Sequence, residues 1–344
     1  MAECRFLDGK TVSDHGDPYI VAEVNSSHRG DMDVAKQMIE AAAEMGCDCV
    51  KFQSWSAESL YSKSYYDSNP IGKKIVKKVA LSPDQLREAS EHCRKNGISF
   101  ASTPYSEAEV DLLIEELGAP FIKIASMEIN NLRFLRYIGQ KHVPIVLSTG
   151  MSTMDEIERA VGALEECGAE DIVLLHCVSI YPTILTTVDL NNIIGLRERF
   201  PKYPIGFSDH TEGDAAAVAA TALGAAVIEK HLTLDRSKMG MDNGMATEPE
   251  QFSVLVKKCR DIHIAMGGKD RIVIPEELAQ REKMRRSITA ARDLPKGHVI
   301  APEDLYAKRP GTGISPDKFD ELLGKRINRD IPADTLIMPE DIDD

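Results

Sequence analysis

Short apolar segments alternate with amphipathic segments between about residue 18 and residue 265. The apolar segments are rich in Val, Ile and Phe, and most lack the strict apolar–polar alternation of a half-exposed strand. That composition is typical of parallel strands that are covered on both faces. Eight strands are predicted, at YIVAEVN, CVKFQ, ISFAST, FIKIAS, PIVLST, DIVLLHC, PIGFS and AAVIEKH.

The segments between these strands have helical periodicity. In the first of them Asp31 is a predicted N-cap, an apolar stripe follows over residues 34–45, and Gly46 ends the helix. Similar patterns recur at about 83–96, 107–117, 131–139, 153–167, 189–199, 212–223 and 249–266. Alternating strands and helices predict an α/β fold, a (β/α)8 TIM barrel. An open doubly wound sheet is the alternative, but no GxGxxG motif follows the first strand.

The pattern changes after Gly267 and Gly268. We therefore expect a barrel domain at 1–266, a charged linker at 267–284 and a small module at 285–344. Helical periodicity is sparse in the last module, which indicates a β-rich or irregular domain. Its core is limited, so we expect it to dock onto another surface. The acidic ending PEDIDD is interpreted as solvated.

Composition and charge narrow the class of protein. The chain has 344 residues, 43% hydrophobic and 28% charged, and its formal net charge is −14. That charge argues against a general nucleic-acid or membrane-surface binder, but it leaves an anionic small-molecule substrate open. Seven cysteines without CxxC spacing support neither a disulfide framework nor a zinc ribbon. No apolar segment has the length of a signal peptide or a membrane span, so we expect a cytoplasmic protein.

Charged side chains lie where buried barrel strands end. Lys51 and Lys123 occupy strand positions that would carry Val or Ile in a purely structural strand. Two lysines in one cavity predict an anionic ligand that carries phosphate and carboxylate groups. Hydroxyl donors are predicted nearby, at Thr103, Ser126, Ser148 and Thr149. The alternative is that the lysines point outward or pair with barrel carboxylates.

Two histidines end the seventh and eighth strands, which are neighbours in a closed barrel. His210 and His231 are therefore predicted to bind a divalent metal, with water or substrate completing the shell. The flanking acids Asp209 and Glu229 favour this interpretation over hydrogen-bonded core histidines. His176, within an apolar strand, is interpreted as structural.

Two carboxylates are candidates for acid–base chemistry. Glu23 and Glu128 each follow an apolar strand, which places them at the edge where barrel sites form. Either of them is alternatively an orienting partner for a lysine or for a sugar hydroxyl.

Several motifs in this order resemble the sialic acid synthase family. They are AEVNSSHRGDMDVAKQMIEAA, CVKFQ, FASTPYS, FIKIASMEINN, PIVLSTGMS, HCVSIYPT, GFSDHT and EKHLTLDR. The C-terminal segment is similar to the antifreeze-like SAF domain of the same family. Its matching motifs are RRSITAARDLPKG, KRPGTGI and LLGKRINRDI. The resemblance covers nearly the whole chain.

The resemblance implies a reaction and its requirements. Members condense phosphoenolpyruvate with an N-acylated amino-sugar aldehyde, N-acetylmannosamine or a diacetamido hexose. The product is a nine-carbon 3-deoxy-2-ulosonic acid, and phosphate is released. Members use a divalent cation, usually Mn²⁺, with Mg²⁺ or Co²⁺ as alternatives. They form domain-swapped homodimers.

The resemblance also assigns roles by motif position. Phosphoenolpyruvate is expected at Lys51, Thr103, Lys123, Ser126, Ser148 and Ser208, and the metal at His210 and His231. Glu23 matches the family's acid after the first strand, and Glu128 matches its carboxylate near the reacting carbons. The proton transfer is therefore expected at Glu128 and a sugar contact at Glu23, with the reverse assignment left open. The sugar is expected at Asn69, Tyr181 and Asp242, and Arg309 matches the SAF-domain arginine that reaches the partner subunit's site.

Three loops depart from the family pattern. They are Ser27–Gly30 where many members have NHNG, Ser179 where asparagine is common, and residues 239–244 where a GPD stretch is usual. We expect all three in sugar-facing loops, so they bear on the acceptor rather than on the reaction.

Two other functions stay open. One is a ulosonate-phosphate synthase that acts on a different or phosphorylated aldose, which the SAF-like ending disfavours. The other is a binding protein whose C-terminal domain is the functional part. A scaffold has no need of two lysines and two histidines at strand ends, which disfavours that alternative.

Overall fold

The protein consists of two compact units. The computed structural model describes residues 2–238 and 240–343, so Met239, in a loop that departs from the family pattern, lies outside the described residues. Contacts divide the chain into Met1–Gly267 and Gly268–Asp344. Among the described helices, none has both the length and the apolar character that a membrane span requires.

The first unit is a parallel barrel of eight strands, as the alternation predicts. A hairpin of β1 (Glu3–Arg5) and β2 (Thr11–Ser13) precedes it. The barrel strands are β3 Tyr19–Glu23, β4 Cys49–Gln53, β5 Ser99–Thr103, β6 Ile122–Ile124, β7 Ile145–Ser148, β8 Ile172–Cys177, β9 Ile205–Asp209 and β10 Val227–His231. They follow the spatial order β5-β4-β3-β10-β9-β8-β7-β6. The strands β5 and β6 contact each other and complete the ring.

Helices of the first unit follow the barrel strands, and most of them cover the outside of the barrel. They are α1 Met32–Glu44, α2 Ala57–Leu60, α3 Lys63–Ser68, α4 Pro70–Val79, α5 Pro83–Lys95, α6 Glu107–Glu115, α7 Leu132–Gly139, α8 Met154–Glu165, α9 Asn192–Arg199, α10 Ala215–Ala222 and α11 Pro249–Met266. The predicted N-cap is confirmed, because the Asp31 carboxylate accepts from the amides of Asp33 and Val34. The helices α2 to α4 form an excursion that the pattern does not predict.

The hydrophobic core has two layers. The larger layer lies between the strands and the helices, where the inner stripe of α1 contributes Ala35, Met38, Ile39 and Ala42. A smaller layer fills the barrel at the amino ends of the strands. There the ring of Phe6, from the hairpin, contacts Tyr19 and Phe121 with centroids 5.1 and 4.7 Å apart. This packing leaves the carboxyl ends of the strands for the site.

The second unit contains little regular structure. It comprises α12 (Pro275–Met284), β11 (Ser287–Ala290), β12 (Leu305–Lys308) and α13 (Phe319–Leu322), and β11 pairs with β12 in an antiparallel ladder. The charged segment predicted as a linker thus contains a helix. Isoleucines and leucines form a core of its own, at Ile288, Leu294, Ile300, Leu305, Ile314, Leu322, Ile327, Ile331 and Ile337.

Two buried aspartates hold turns of the second unit. Asp304 accepts hydrogen bonds from the Arg292 guanidinium at 2.7 Å and from the Ala301 amide at 2.8 Å. Asp341 pairs with Arg329 and accepts from the Met338 amide at 2.9 Å. Asp341 is fully buried. The interpretation of PEDIDD as a solvated ending is wrong for Asp341, which is buried and caps the turn, whereas Glu340 and Asp343 are exposed.

Candidate active site

A cavity of about 300 Å³ opens at the carboxyl ends of the barrel strands. Its lining includes most of the predicted site residues, namely Glu23, Lys51, Thr103, Lys123, Ser126, Ser148, Tyr181, Ser208, His210, His231 and Asp242. Strand register explains this convergence. Glu23 lies opposite Lys51 on one side and opposite His231 on the other, and Ser208 lies opposite Glu229. Neighbours in register on one face of a parallel sheet meet at the same depth.

Both predicted lysines point into the cavity and are buried. The Lys51 ammonium donates to the Thr103 hydroxyl at 3.2 Å, and the Lys123 ammonium donates to the Ser148 hydroxyl at 2.6 Å. Burial lowers the pKa of Lys123, although Glu229 opposes that shift. The pKa of Lys51 is raised, because its carboxylate neighbours outweigh its burial. The prediction of an inward pair of lysines and hydroxyls therefore agrees with the geometry.

The lysines also pair with barrel carboxylates, which was the alternative. The Lys51 ammonium contacts Glu23 and lies 3.7 Å from a carboxylate oxygen of Glu229, and Lys123 lies 4.0 Å from the same carboxylate. Ser208 donates to Glu229 at 3.0 Å. Burial raises the pKa of Glu229, but the two lysines and this hydroxyl outweigh burial and lower the pKa to about 2. Glu229 is therefore ionised and offsets part of the lysines' charge.

Glu23 sits deep in the cavity with several donors. One carboxylate oxygen accepts from the Asn25 amide at 2.9 Å and from the Gln53 side chain at 3.1 Å. Burial raises the pKa of Glu23 to about 7, because desolvation outweighs the attraction of Lys51. A carboxyl group with that pKa both gives and takes a proton near neutral pH.

The two site histidines lie side by side with ring centroids 5.5 Å apart. The His210 Nδ1 atom is 2.8 Å from the Val178 carbonyl oxygen, so Nδ1 carries the proton and Nε2 keeps its lone pair. Burial lowers the pKa of His210. The pKa of His231 is also lowered by burial and further by His210 and Lys51, so both rings are neutral at pH 7. Neutral imidazoles whose other nitrogen donates to a carbonyl are typical metal ligands.

The described residues offer few potential metal ligands besides the two site histidines. In the described part of the chain, no group of three or more His, Cys, Asp and Glu residues is arranged to hold a metal ion. Asp209, which we took as a flanking acid of the histidine pair, lies on the opposite face of β9 and pairs with Lys230. Substrate or water would therefore complete the shell of a metal at His210 and His231.

The remaining cavity residues define its wall and mouth. The Ser126 hydroxyl accepts from the Gly150 amide at 3.0 Å and lies 3.2 Å from the Cys177 sulfur. The Tyr181 ring packs 4.3 Å from the His210 ring. Asp242 accepts a hydrogen bond from the Asn25 side chain, and burial raises its pKa.

Three predicted site residues lie elsewhere. Glu128 is half-buried beside the cavity, and its carboxylate accepts from Asn131 at 2.8 Å. Asn69 is the N-cap of α4, where its side-chain oxygen Oδ1 accepts a hydrogen bond from the Gly72 amide at 2.9 Å. Arg309 is exposed at the end of β12 and makes no ion pair with any other described residue. Their roles stay predictions.

The structure adds residues that the sequence reasoning did not assign. Glu229, named from the sequence only as a flanking acid, and Gln53 line the cavity. Each lies two residues from another lining residue of its strand, His231 or Lys51, and therefore on the same face. Tyr105 also lines it and donates to Gln53 at 3.2 Å. Its position two residues after Thr103, just beyond the end of β5, is the signal in the sequence that points to it.

The departing loops differ in their access to the cavity. Ser179 lines the cavity, as does Met241 from the loop after β10. His28 is instead buried behind the first loop, where its Nδ1 atom accepts from the Gly30 amide at 3.0 Å. That departure is therefore a matter of packing, and the other two face the cavity.

Comparisons with known proteins agree with this arrangement. The NeuB family model matches residues 38–271, and the SAF domain model matches residues 285–343. An N,N'-diacetyllegionaminic acid synthase of Campylobacter jejuni is 38% identical over 329 residues, which are 92% of this chain and 98% of that protein. The N-acetylneuraminate-9-phosphate synthase of Homo sapiens is 33% identical over 350 residues, 99% of this chain and 97% of that protein.

A solved structure extends the similarity to the fold. The N-acetylneuraminic acid synthetase of Leptospira borgpetersenii, in complex with citrate, aligns with a TM-score of 0.74 at 29% identity, over 81% of this chain and 96% of that one. The predicted TIM barrel, the SAF domain and the synthase class are confirmed. The chain therefore belongs to the NeuB family, whose barrel it joins to a C-terminal SAF domain, as its resemblance to the sialic acid synthases predicts.

Proposed function

We propose that the protein condenses phosphoenolpyruvate with an N-acylated amino-sugar aldehyde and releases phosphate. The product is a nine-carbon 3-deoxy-2-ulosonic acid. One observation carries this proposal: two buried lysines with hydroxyl partners and two neutral histidines line the same cavity. The lysines suit an anionic donor, and the histidines suit a cation that acts on a carbonyl acceptor.

Phosphoenolpyruvate is held by the strand ends. The Lys51 and Lys123 ammonium groups, with the hydroxyls of Thr103 and Ser148, supply donors to its phosphate and carboxylate oxygens. Ser126 and Ser208 add two hydroxyls at the same depth. Fixed donors of this kind restrict the orientation of the bound enol.

His210 and His231 would hold a divalent cation, for which we propose Mn²⁺, with Mg²⁺ or Co²⁺ as alternatives. The fit rests on their neutral state and on the His210 Nδ1 hydrogen bond, which directs Nε2 away from Val178. When bound, the cation supplies Lewis-acid polarisation of the acceptor carbonyl.

The reaction forms one carbon–carbon bond and breaks one carbon–oxygen bond. C3 of phosphoenolpyruvate bonds to the aldehyde carbon, and the aldehyde oxygen takes a proton. Water then adds to C2, and the bond between C2 and the phosphate oxygen breaks. Atoms balance, since donor, acceptor and water give the ulosonic acid and phosphate.

Glu23 is the residue that best fits the proton transfer. It lines the cavity and is held by the Asn25 amide and by Gln53. Glu128 lies beside the cavity and is engaged by Asn131, which suits a carboxylate that orients a sugar hydroxyl. We therefore assign Glu23 to the proton and Glu128 to the sugar, which reverses the expectation from the sequence, because Glu23 lines the cavity and Glu128 does not.

The mouth of the cavity favours an acceptor without phosphate. The basic groups among the described lining residues are Lys51, Lys123 and the two neutral histidines, and both lysines lie deep at strand ends. The mouth is lined instead by Leu60, Tyr61, Met127, Met151 and Met241. Apolar side chains suit the methyl groups of acetamido substituents. The part of the mouth that this chain supplies therefore suits N-acetylmannosamine or a diacetamido hexose better than a sugar phosphate.

We further propose a homodimer in which Arg309 of the partner subunit completes the sugar site. Two observations support this proposal: the match to the SAF domain, and the exposure of the Arg309 guanidinium, which makes no ion pair with any other described residue. We also place the enzyme in the cytoplasm, where phosphoenolpyruvate is available.

Metal removal tests the function directly. Protein treated with EDTA is expected to release no phosphate from phosphoenolpyruvate and N-acetylmannosamine, and added Mn²⁺ restores the release. His210→Ala and His231→Ala are expected to abolish the Mn²⁺-dependent turnover. Near-parental turnover that is insensitive to EDTA in both variants contradicts the metal assignment. Absence of acceptor-dependent phosphate release under all conditions favours a binding role for the SAF domain.

A further inference from the structure

A buried ion pair lies behind the two site histidines. The Lys230 ammonium contacts the Asp209 carboxylate at 2.7 Å, and both side chains are almost fully buried. Asp209 precedes His210, and Lys230 precedes His231. Because side chains alternate along a strand, the ion pair points to the outer face while both imidazoles point into the cavity.

The ion pair also holds the backbone beyond β9. Lys230 donates a second hydrogen bond to the Thr211 carbonyl oxygen at 2.8 Å. The other oxygen of Asp209 accepts from the Thr211 amide at 2.8 Å. The residues on both sides of His210 are thus tied to the residue before His231. Thr183 adds a tie from another loop, since its amide donates to the His210 carbonyl at 2.9 Å.

A buried ion pair at this position carries a large desolvation cost. The preceding outward residues of the same strands are Phe207 and Ile228, which belong to the apolar layer between strands and helices. Removing two ions from water costs several kcal/mol, and an apolar pair of similar volume is often at least as stable. Stability alone therefore does not explain the pair, whereas a directional tie between two strand ends does.

We propose that Asp209 and Lys230 are positioning residues that fix the separation of His210 and His231 for joint binding of a divalent cation. This inference rests on the proposed function. Neither residue is among the described residues that line the cavity, so the pair acts through the backbone at the ends of β9 and β10. An apolar replacement keeps the packing but lets the two imidazoles move independently.

Mn²⁺ binding to the full chain without substrates tests the inference. Free Mn²⁺ is followed by electron paramagnetic resonance in a titration of parent and Asp209→Leu/Lys230→Met protein. We expect the double variant to bind Mn²⁺ about 10- to 100-fold more weakly. At saturating Mn²⁺ its KM for phosphoenolpyruvate is expected to stay near the parental value, because the lysines and hydroxyls that bind it are untouched.

A second ion pair, which contacts the opposite end of β9, provides the control. Buried Asp14 pairs with half-buried Arg197 of α9 at 3.0 Å and accepts from the amide of Ile205, the first residue of β9. Asp14→Leu/Arg197→Met removes this partly buried ion pair at the far end of the strand. We expect it to change the thermal midpoint but to leave the Mn²⁺ affinity within about twofold of the parent.

The outcomes separate the inference from the proposed function. A parent protein that binds no Mn²⁺ contradicts the metal site itself. A parent that binds Mn²⁺ together with a folded double variant of equal affinity overturns the positioning role, as does an equal loss in the control pair. If the double variant does not fold, Asp209→Asn is tested instead, because it removes the charge and preserves the side-chain volume. We expect about three- to tenfold weaker Mn²⁺ binding from it, and parental affinity overturns the inference.

Discussion

The Lys123 ammonium group is the clearest anion contact in the cavity. It is buried, it donates to Ser148, and it lies farther from a carboxylate than Lys51 does. An incoming phosphate or carboxylate therefore meets a donor that is only weakly neutralised. Lys51, in contact with Glu23, is better suited to hold that carboxylate in place.

Removal of this ammonium group should weaken substrate binding. We expect Lys123→Met to raise the KM for phosphoenolpyruvate about 30-fold, from the loss of about 2 kcal/mol in charge-assisted hydrogen bonding. Steady-state phosphate release measures this. Lys141→Met, which removes a lysine paired with Asp111 outside the site, is the control and should leave the KM unchanged. A KM within twofold of the parent in Lys123→Met contradicts the assignment.

The two carboxylates should differ in their kinetic effect. We expect Glu23→Gln to lower kcat at least 100-fold, because the amide cannot transfer the proton. Glu128→Gln should change kcat less than about tenfold and raise the KM for the sugar, since its role is to orient. Rate measurements with each substrate varied in turn distinguish the two. The reverse pattern would exchange the two roles.

At the scale of elements, strand alternation accounts for most of the site. Side-chain direction along a strand is a local property, so the inward faces of β4, β9 and β10 follow from the sequence. The same rule places Asp209 outward, and the initial interpretation overlooked this. Asn69 was not predictable in this way, because its use as the N-cap of α4 depends on an excursion without a periodic signal.

The turn at Asp304 makes the second unit sensitive to acid. Burial opposes the shift, but His298, the Ala301 amide and Arg292 lower the pKa of Asp304 from 3.8 to about 2. A group whose pKa falls on folding contributes stability above its unfolded pKa. That contribution is lost as the pH falls from about 4 through about 2.

A single substitution checks this contribution. We expect Asp304→Asn to destabilise the second unit at neutral pH and to differ less and less from the parent as the pH falls toward 2. Urea unfolding of the full chain at several pH values measures the difference. The exposed Asp320→Asn is the control and should follow the parent. A pH-independent difference for Asp304→Asn contradicts the linkage.

At the scale of the molecule, net charge and local charge have different roles. A net charge of −14 excludes little about the cavity, where the lysines are partly offset by Glu23 and Glu229. The compensating carboxylates were beyond composition, because they depend on which strands become neighbours when the barrel closes.

The proposed exchange of Arg309 between subunits can be tested by complementation. Arg309→Ala should raise the KM for the sugar about tenfold or more without lowering the thermal midpoint. Mixed refolding of Arg309→Ala with Lys123→Met chains should then restore activity, because one site combines an intact barrel with the partner's Arg309. Each variant refolded alone is the control. Mixtures that only average the two activities contradict the exchange.

The central claim is that one cavity joins phosphoenolpyruvate to an aldose that carries no phosphate. Mass spectrometry of the products, with Mn²⁺, N-acetylmannosamine or its 6-phosphate, and phosphate assayed in parallel, tests it most directly. We predict a new product whose mass equals that of donor plus sugar plus water minus phosphate. It should form in an amount equal to the phosphate released. Its rate of formation should be higher with N-acetylmannosamine or a diacetamido hexose than with the sugar phosphate. Phosphate release without that product, or with the phosphorylated sugar alone, would contradict the account.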